Sequence, residues 1–259
     1  FQGENQLKML AAQGMAMELG GVIFLALSGI LADISWQCPF YIYALGFVAL
    51  LLLILFIPSR KPALPKENTL PAKEAPRKKD GVPLPLILLI AFLGMLMFFT
   101  AMVSLPIYLQ TVLNYSSSFT GYHLAAIDLV AVLAAGFMPK VVARFEERGC
   151  LTFAFCFYGI SYILYFLSAH PAVLWLAAVI MGLGFGLSPP LFNSLIVKKS
   201  TPESKGLHIS FGTTAMFAGQ FLSAFLVSAV SGENLFFITA LLAFGIMLCI
   251  IPVTIKYRK

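Results

Sequence analysis

The chain has 259 residues, 60% of them hydrophobic and only 11% charged, with a formal net charge of +6. A water-soluble domain carries roughly 25% charged residues, so this chain lacks the polar surface that one or two globular domains of its length would need. A positive patch would point to nucleic acid. Here the basic residues stand in separate clusters between long apolar runs, so the expected solvent is a lipid bilayer and no nucleic-acid partner is expected.

A helix needs roughly 20 apolar residues to cross a hydrocarbon core about 30 Å thick. In chain order, eight stretches meet that length: Met9–Ala32, Pro39–Ile57, Leu84–Leu113, Phe119–Pro139, Cys150–Ser168, Pro171–Val197, Gly206–Ser231 and Leu235–Ile255. Unpaired backbone groups are not tolerated in lipid, which leaves helices or a closed barrel. Barrel strands read as short alternating segments, whereas these runs are long and continuous. The fold class is therefore all-α, a polytopic membrane protein with eight transmembrane helices.

Between the second and third runs, residues 58–83 hold several prolines and seven basic residues, Arg60, Lys61, Lys66, Lys73, Arg77, Lys78 and Lys79. Such a segment cannot build a core and reads as a solvated tether. The chain thus divides into residues 1–57, the linker 58–83 and residues 84–259. All 17 Lys and Arg fall at the ends of spans on one side; the connections around Asp33–Cys38, Asn114–Ser118, His170 and Gly232–Asn234 have none. The positive-inside rule then places both termini and the linker in the cytoplasm.

Residues 13–21 and 212–220 read loosely alike, each followed by an apolar run, a short turn and an aromatic helix opening at Phe40 or at Phe236 and Phe237. Weak self-similarity of this kind accompanies transporters assembled from repeated bundles. The four cysteines show neither metal-ligand spacing nor a disulfide framework. The chain lacks nucleophile-elbow, HExxH and Walker signatures, so no enzyme, metal or cofactor is expected. The tripeptide Asn114-Tyr115-Ser116 matches a glycosylation acceptor but lies beside a helix end, where chance explains it.

Of eleven acidic residues, only Glu18 and Asp128 fall near mid-span. A charge there costs about 2.5–3.5 kcal/mol on insertion scales, so an intramembrane acid is a functional candidate. On a helical period Glu18 shares a face with Gly14, Gly21, Leu25 and Ser28, and Asp128 with Gly121, Ala125, Ala131 and Ala135. Small residues mark helix–helix or cavity surfaces, so both acids are expected to point inward. Each is either an ion-coupling group or interhelical glue.

The chain resembles the major facilitator superfamily over essentially its whole length. The stretch Gly136-Phe137-Met138-Pro139-Lys140 through Arg144, Arg148 and Gly149 resembles the basic cytoplasmic loop between that family's eighth and ninth helices. The run Gly182-Leu183-Gly184-Phe185-Gly186 with Pro189 and Pro190 is similar to its glycine-rich tenth helix. Gly20-Gly21, Gly29-Ile30-Leu31-Ala32 and Trp36 resemble the fifth helix and its exit. One departure stands out: family antiporters often carry a Gly-Pro pair in the fifth helix, and residues 14–29 contain no proline.

The resemblance implies a partial fold, with family helices five to twelve: the last two helices of the N-terminal bundle, the linker, and a complete C-terminal six-helix bundle. The missing first four helices would be needed for function. It implies a secondary active transporter in a cell membrane (the inner membrane of a bacterium), moving a small solute by alternating access, with proton-coupled efflux as one form. The ion-coupling candidates are then Asp128 and Glu18. The cavity candidates are Thr100, Ser104, Tyr108, Gln110, Ser188, Asn193, Thr213 and Gln220, and the gate-loop candidates Gly136, Arg144, Arg148 and Gly149. Met95, Met97, Phe98, Phe99 and Phe185 are either an adaptable pocket or core. His123 and His208, near helix ends, are expected to bridge helices or to lie at the surface. A non-transporting receptor or scaffold is the alternative class, with an intramembrane enzyme behind it.

Overall fold

A computed structural model describes the backbone of residues 4–56, 82–201, 203–230, 232 and 234–256, and within these the side chains from residue 19 to 251 except Arg148. Most of the linker 58–83 therefore lies outside the described residues. Every regular element among those described is helical.

Helix α1 (Glu4–Ile34) is followed by a 3-10 segment, Cys38–Ala44, that runs into α2 (Leu45–Phe56). Helix α3 (Leu84–Ile107) widens into a π-turn at Tyr108–Val112, just after Pro106, whose missing N–H interrupts the regular ladder. Asn114 then adopts φ 55°, the left-handed conformation that closes a helix, and the amide of Tyr115 reaches back to the Leu109 carbonyl. Asn114 is thus explained as a helix terminator.

Helix α4 (Ser117–Glu147) and α5 (Gly149–Leu167) follow one another across Glu146, which has φ 59° and ψ 164°. Helices α6 (Pro171–Lys198), α7 (Lys205–Ala229) and α8 (Asn234–Lys256) complete the chain. Seven apolar helical stretches among the described residues are long enough to cross a membrane: Cys38–Phe56, the six from α3 to α8, with Leu19–Ile34 of α1 shorter. Their limits lie within a few residues of the sequence expectation except in the fourth. There the helix passes through Pro139 and continues to Glu147, so Lys140 and Arg144 ride on a helix instead of a loop. The segment after Pro139 is built from residues that sustain a helix, and the chain breaks at Glu146.

Glycines decide how closely the helices approach. A Cβ on Gly182 of α6 would stand 2.5 Å from the Ile127 carbonyl oxygen of α4, and one on Gly184 would stand 3.0 Å from the Tyr158 ring of α5. Gly186 likewise abuts Ala131. The glycine run of α6 therefore lets it lie directly against α4 and α5. Gly219 of α7 abuts the Phe92 carbonyl of α3, and Gly159 of α5 receives Phe244 of α8. By contrast α2 contains no buried residue. An open apolar groove of about 590 Å³ lies between α1 and residues 39–49, lined by Phe24, Ser28, Phe40, Tyr43 and Ala49.

Candidate functional site

The sequence singled out an acid in α1 and an acid in α4, and the structure lays those two helices together. Asp33 of α1 meets Ser117 and Ser118, Gly29 meets Gly121, and Gly21 meets Asp128. Each turn down α1 is matched by a turn up α4, as expected of an antiparallel pair. A Cβ on Gly29 would lie 2.8 Å from the Gly121 Cα, so the two backbones touch. At the inner end of this seam Asp128 is 8% exposed, and its Oδ2 lies 3.1 Å from where a Gly21 side chain would begin. Asp128 is itself engaged in a further interaction. Glu18 precedes Gly21 by three residues in α1, one turn away along the helix; its side chain lies outside the described residues.

Six of the eight cavity candidates divide into partnered core groups and open ones; Ser104 and Gln220 fit neither class. Thr100 is fully buried and donates to the Leu96 carbonyl at 2.7 Å, one turn back in its own helix. Ser188 is also fully buried, donating to Gly184 at 2.7 Å and meeting the Tyr158 hydroxyl at 3.1 Å. Its partners make it a fastener between α5 and α6. Tyr108 is buried edge-on against Phe236, with ring centroids 4.9 Å apart. Ser104 is buried, and its Oγ has no hydrogen-bond partner. Gln110, Asn193 and Thr213 are exposed. Gln220, the eighth, is half-buried on α7. The aromatic group resolves as core: Phe98 stacks on Phe185 with centroids 3.5 Å apart and planes 6° apart, and Met97 is fully buried.

At the end of α4 that carries Lys140 and Arg144, Gly136 is exposed with open space beside it, and Gly149 sits against the Phe145 Cβ. The Arg144 guanidinium lies 5.8 Å from the Phe145 ring centroid, and the Arg148 side chain is outside the described residues. The polar cluster here is centred on Glu147, which sequence reasoning passed over. Its Oε1 accepts from Ser194 Oγ at 2.6 Å and pairs with Lys198 Nζ at 2.8 Å. The end of α4 is thereby tied to the end of α6.

Two further groups escaped the sequence reading. Tyr158, Tyr162 and Tyr165, at i, i+4 and i+7 on α5, are all fully buried. They reach Ser188, the Met97 carbonyl and His123 respectively. His123 is also fully buried, which corrects the surface alternative: its Nε2 lies 2.9 Å from the Tyr165 hydroxyl, and Phe119 and Trp175 flank the ring. Its Nδ1 has no partner. The bridging expectation holds for both histidines, since His208 Nδ1 lies 3.0 Å from Ser200 Oγ across the α6–α7 turn.

Comparison with known proteins agrees with this architecture. Two crystal structures of a mutant of the peptide transporter POT are similar at 18% identity. The one without sulfate in its description covers 98% of this chain and 54% of its own length with a TM-score of 0.53. The other, a complex with sulfate, covers 67% of this chain and 38% of its own, with a TM-score of 0.52. Identity at that level carries the fold alone, and this chain spans about half of those proteins or less. No curated protein matches. The Major Facilitator Superfamily profile matches residues 1–224. The chain belongs to the major facilitator superfamily.

Proposed function

We propose that the protein containing this chain is a secondary transporter that moves a small solute by alternating access, with Asp128 as its proton-coupling group and Glu18 as the second choice. The observation that carries the reading is the position of Asp128: a mostly buried carboxyl, mid-helix, on the seam between α1 and the six-helix body. In carriers of repeated bundles, transport is largely the rocking of one bundle against another around a central site. An acid on the dividing seam feels that movement directly, so its proton affinity and the seam's geometry are linked. The nearest basic residue along α4 is Lys140, about 18 Å up the helix at 1.5 Å per residue.

The bare surface of α2 and the apolar groove beside α1 support a second part of the reading: further helices of an N-terminal bundle pack there and complete the solute cavity. The exposed Gln110, Asn193 and Thr213 are then the groups available to solute, while Thr100 and Ser188 serve packing. Both termini and the linker are assigned to the cytoplasm on the basic-residue pattern.

Asp128→Asn in the intact protein tests the assignment, because it keeps size and hydrogen bonding while removing titration. In sealed vesicles with an imposed pH gradient, screened against a solute panel in both orientations, gradient-driven accumulation should be lost while solute exchange persists. Accumulation with parental pH dependence in Asp128→Asn would place coupling elsewhere, with Glu18→Gln as the next variant.

A further inference from the structure

Resting on the reading of an alternating-access carrier, we propose that Asp33 is the outer latch of the moving seam, a carboxylate of α1 that caps the first turn of α4. The Ser117 amide donates to Asp33 Oδ1 at 2.8 Å and the Ser118 amide donates to Oδ2 at 3.0 Å. Amides in the first turn of a helix have no partner within it. The local cap, Ser116, is already occupied: its Oγ accepts from the Phe119 amide at 3.1 Å. The first three amides of α4 are thus all satisfied, two of them by another helix. A carboxylate suits that place, because the bonds are charge-assisted and the helix dipole is positive there.

Four residues further in on each helix, Gly29 and Gly121 bring the backbones into contact, so capping and close approach are parts of one closure. The helices cannot separate at this end unless the carboxylate leaves both amides. Asp33 is exposed, so water can replace it, which makes the latch reversible. None of this chain's connections at this end carries a Lys or Arg, so none of its own cations competes for the carboxylate.

The test uses the intact protein in a cysteine-free background with a reporter at Ala125→Cys. That residue is mostly buried and lies on the seam between Gly121 and Asp128. A membrane-impermeant maleimide is added from outside, and the initial labelling rate is read without solute. Asp33→Ala should raise the rate about fivefold, the population shift expected when one good cap is lost. Asp33→Asn, which still caps, should fall between the two. Ser116→Ala removes the local cap of the same helix without touching α1 and should label at the parental rate.

Parental labelling in Asp33→Ala overturns the latch. So does an equal rise in Ser116→Ala, which would mean fraying of α4. The readout needs no solute, so the two proposals fail separately. Active transport with unchanged labelling in Asp33→Ala defeats the latch alone, whereas faster labelling in a protein that moves no solute supports the latch and defeats the carrier.

Discussion

Along α1 and α4 the contact is made by Gly21, Gly29 and Gly121, with Asp33 and Asp128 toward either end. Along α5 the residues facing α3, α4 and α6 are Tyr158, Tyr162 and Tyr165, with Phe155 fully buried among them. Both are close helix contacts in the same membrane, yet they hold in different ways. Lipid tails are as apolar as side chains, so apolar contact alone gives helices little reason to stay together. A seam of glycines has shape complementarity but few bonds, and its polar fasteners are two acids. The tyrosine face has buried hydroxyls bonded to a carbonyl, a serine and a histidine, plus ring contacts with Phe236. On the proposed alternating-access reading, the difference teaches which boundary gives way: the seam with α1 moves, while α3 to α8 stay one body.

The strongest expected effect lies in the body. Phe192 of α6 is fully buried and fills the space left by the missing side chain of Gly94 on α3. Phe192→Ala opens a cavity there that no backbone can close. In soluble cores such a change costs about 3–5 kcal/mol; with lipid as the reference for transfer, the lower end, about 3 kcal/mol, is expected. Thermal unfolding in detergent should show the loss. A variant as stable as the parent would mean that α3 and α6 are not packed as one body.

A smaller effect is expected at the Tyr165 end of the tyrosine row. Tyr165→Phe leaves the ring in place but strips His123 of its partner, when the Nδ1 of that histidine is already unbonded. The cost is about 1 kcal/mol, in the range measured for hydrogen bonds between membrane helices. Trp175, whose ring centroid lies 5.2 Å from that of His123, reports the change by fluorescence during unfolding. If Tyr165→Phe matches the parent in both stability and Trp175 emission, the row is packing alone and its hydroxyls hold nothing.

The seam and the body were unequally legible in the sequence. The spans were readable because lipid demands long apolar runs, and the close approach of α6 was readable in Gly182, Gly184 and Gly186. Gly21 beside Glu18 and Gly121 beside Asp128 also stood out as small-residue faces of two separate helices, although no local signal said that α1 and α4 would meet. The cap supplied by Asp33 joins residues 84 and 85 positions apart, so only the assembled fold reveals it. The i, i+4, i+7 spacing of Tyr158, Tyr162 and Tyr165 was visible, but tyrosines also belong at membrane interfaces, and periodicity cannot say which face is covered. His123 shares a helical face with Phe119, four residues back, but that spacing cannot say which face is covered, so its burial could not be read. The end of the fourth helix was misplaced because Pro139 is a usual stop signal, which here interrupts one bond without ending the helix.

The most direct test of a moving seam against a rigid body is to tie each one shut in turn. In a cysteine-free background of the intact protein, Leu25→Cys with Ala125→Cys links α1 to α4 between the Gly29–Gly121 and Gly21–Asp128 contacts. Ser161→Cys with Ala177→Cys links α5 to α6 where the Ser161 hydroxyl donates to the Ala177 carbonyl at 2.7 Å. Solute flux in sealed vesicles is measured before oxidation, after it, and after reduction. The seam link should abolish flux and reduction should restore it, while the body link should leave flux at the parental rate. Undiminished flux through a fully cross-linked α1–α4 seam would contradict the account.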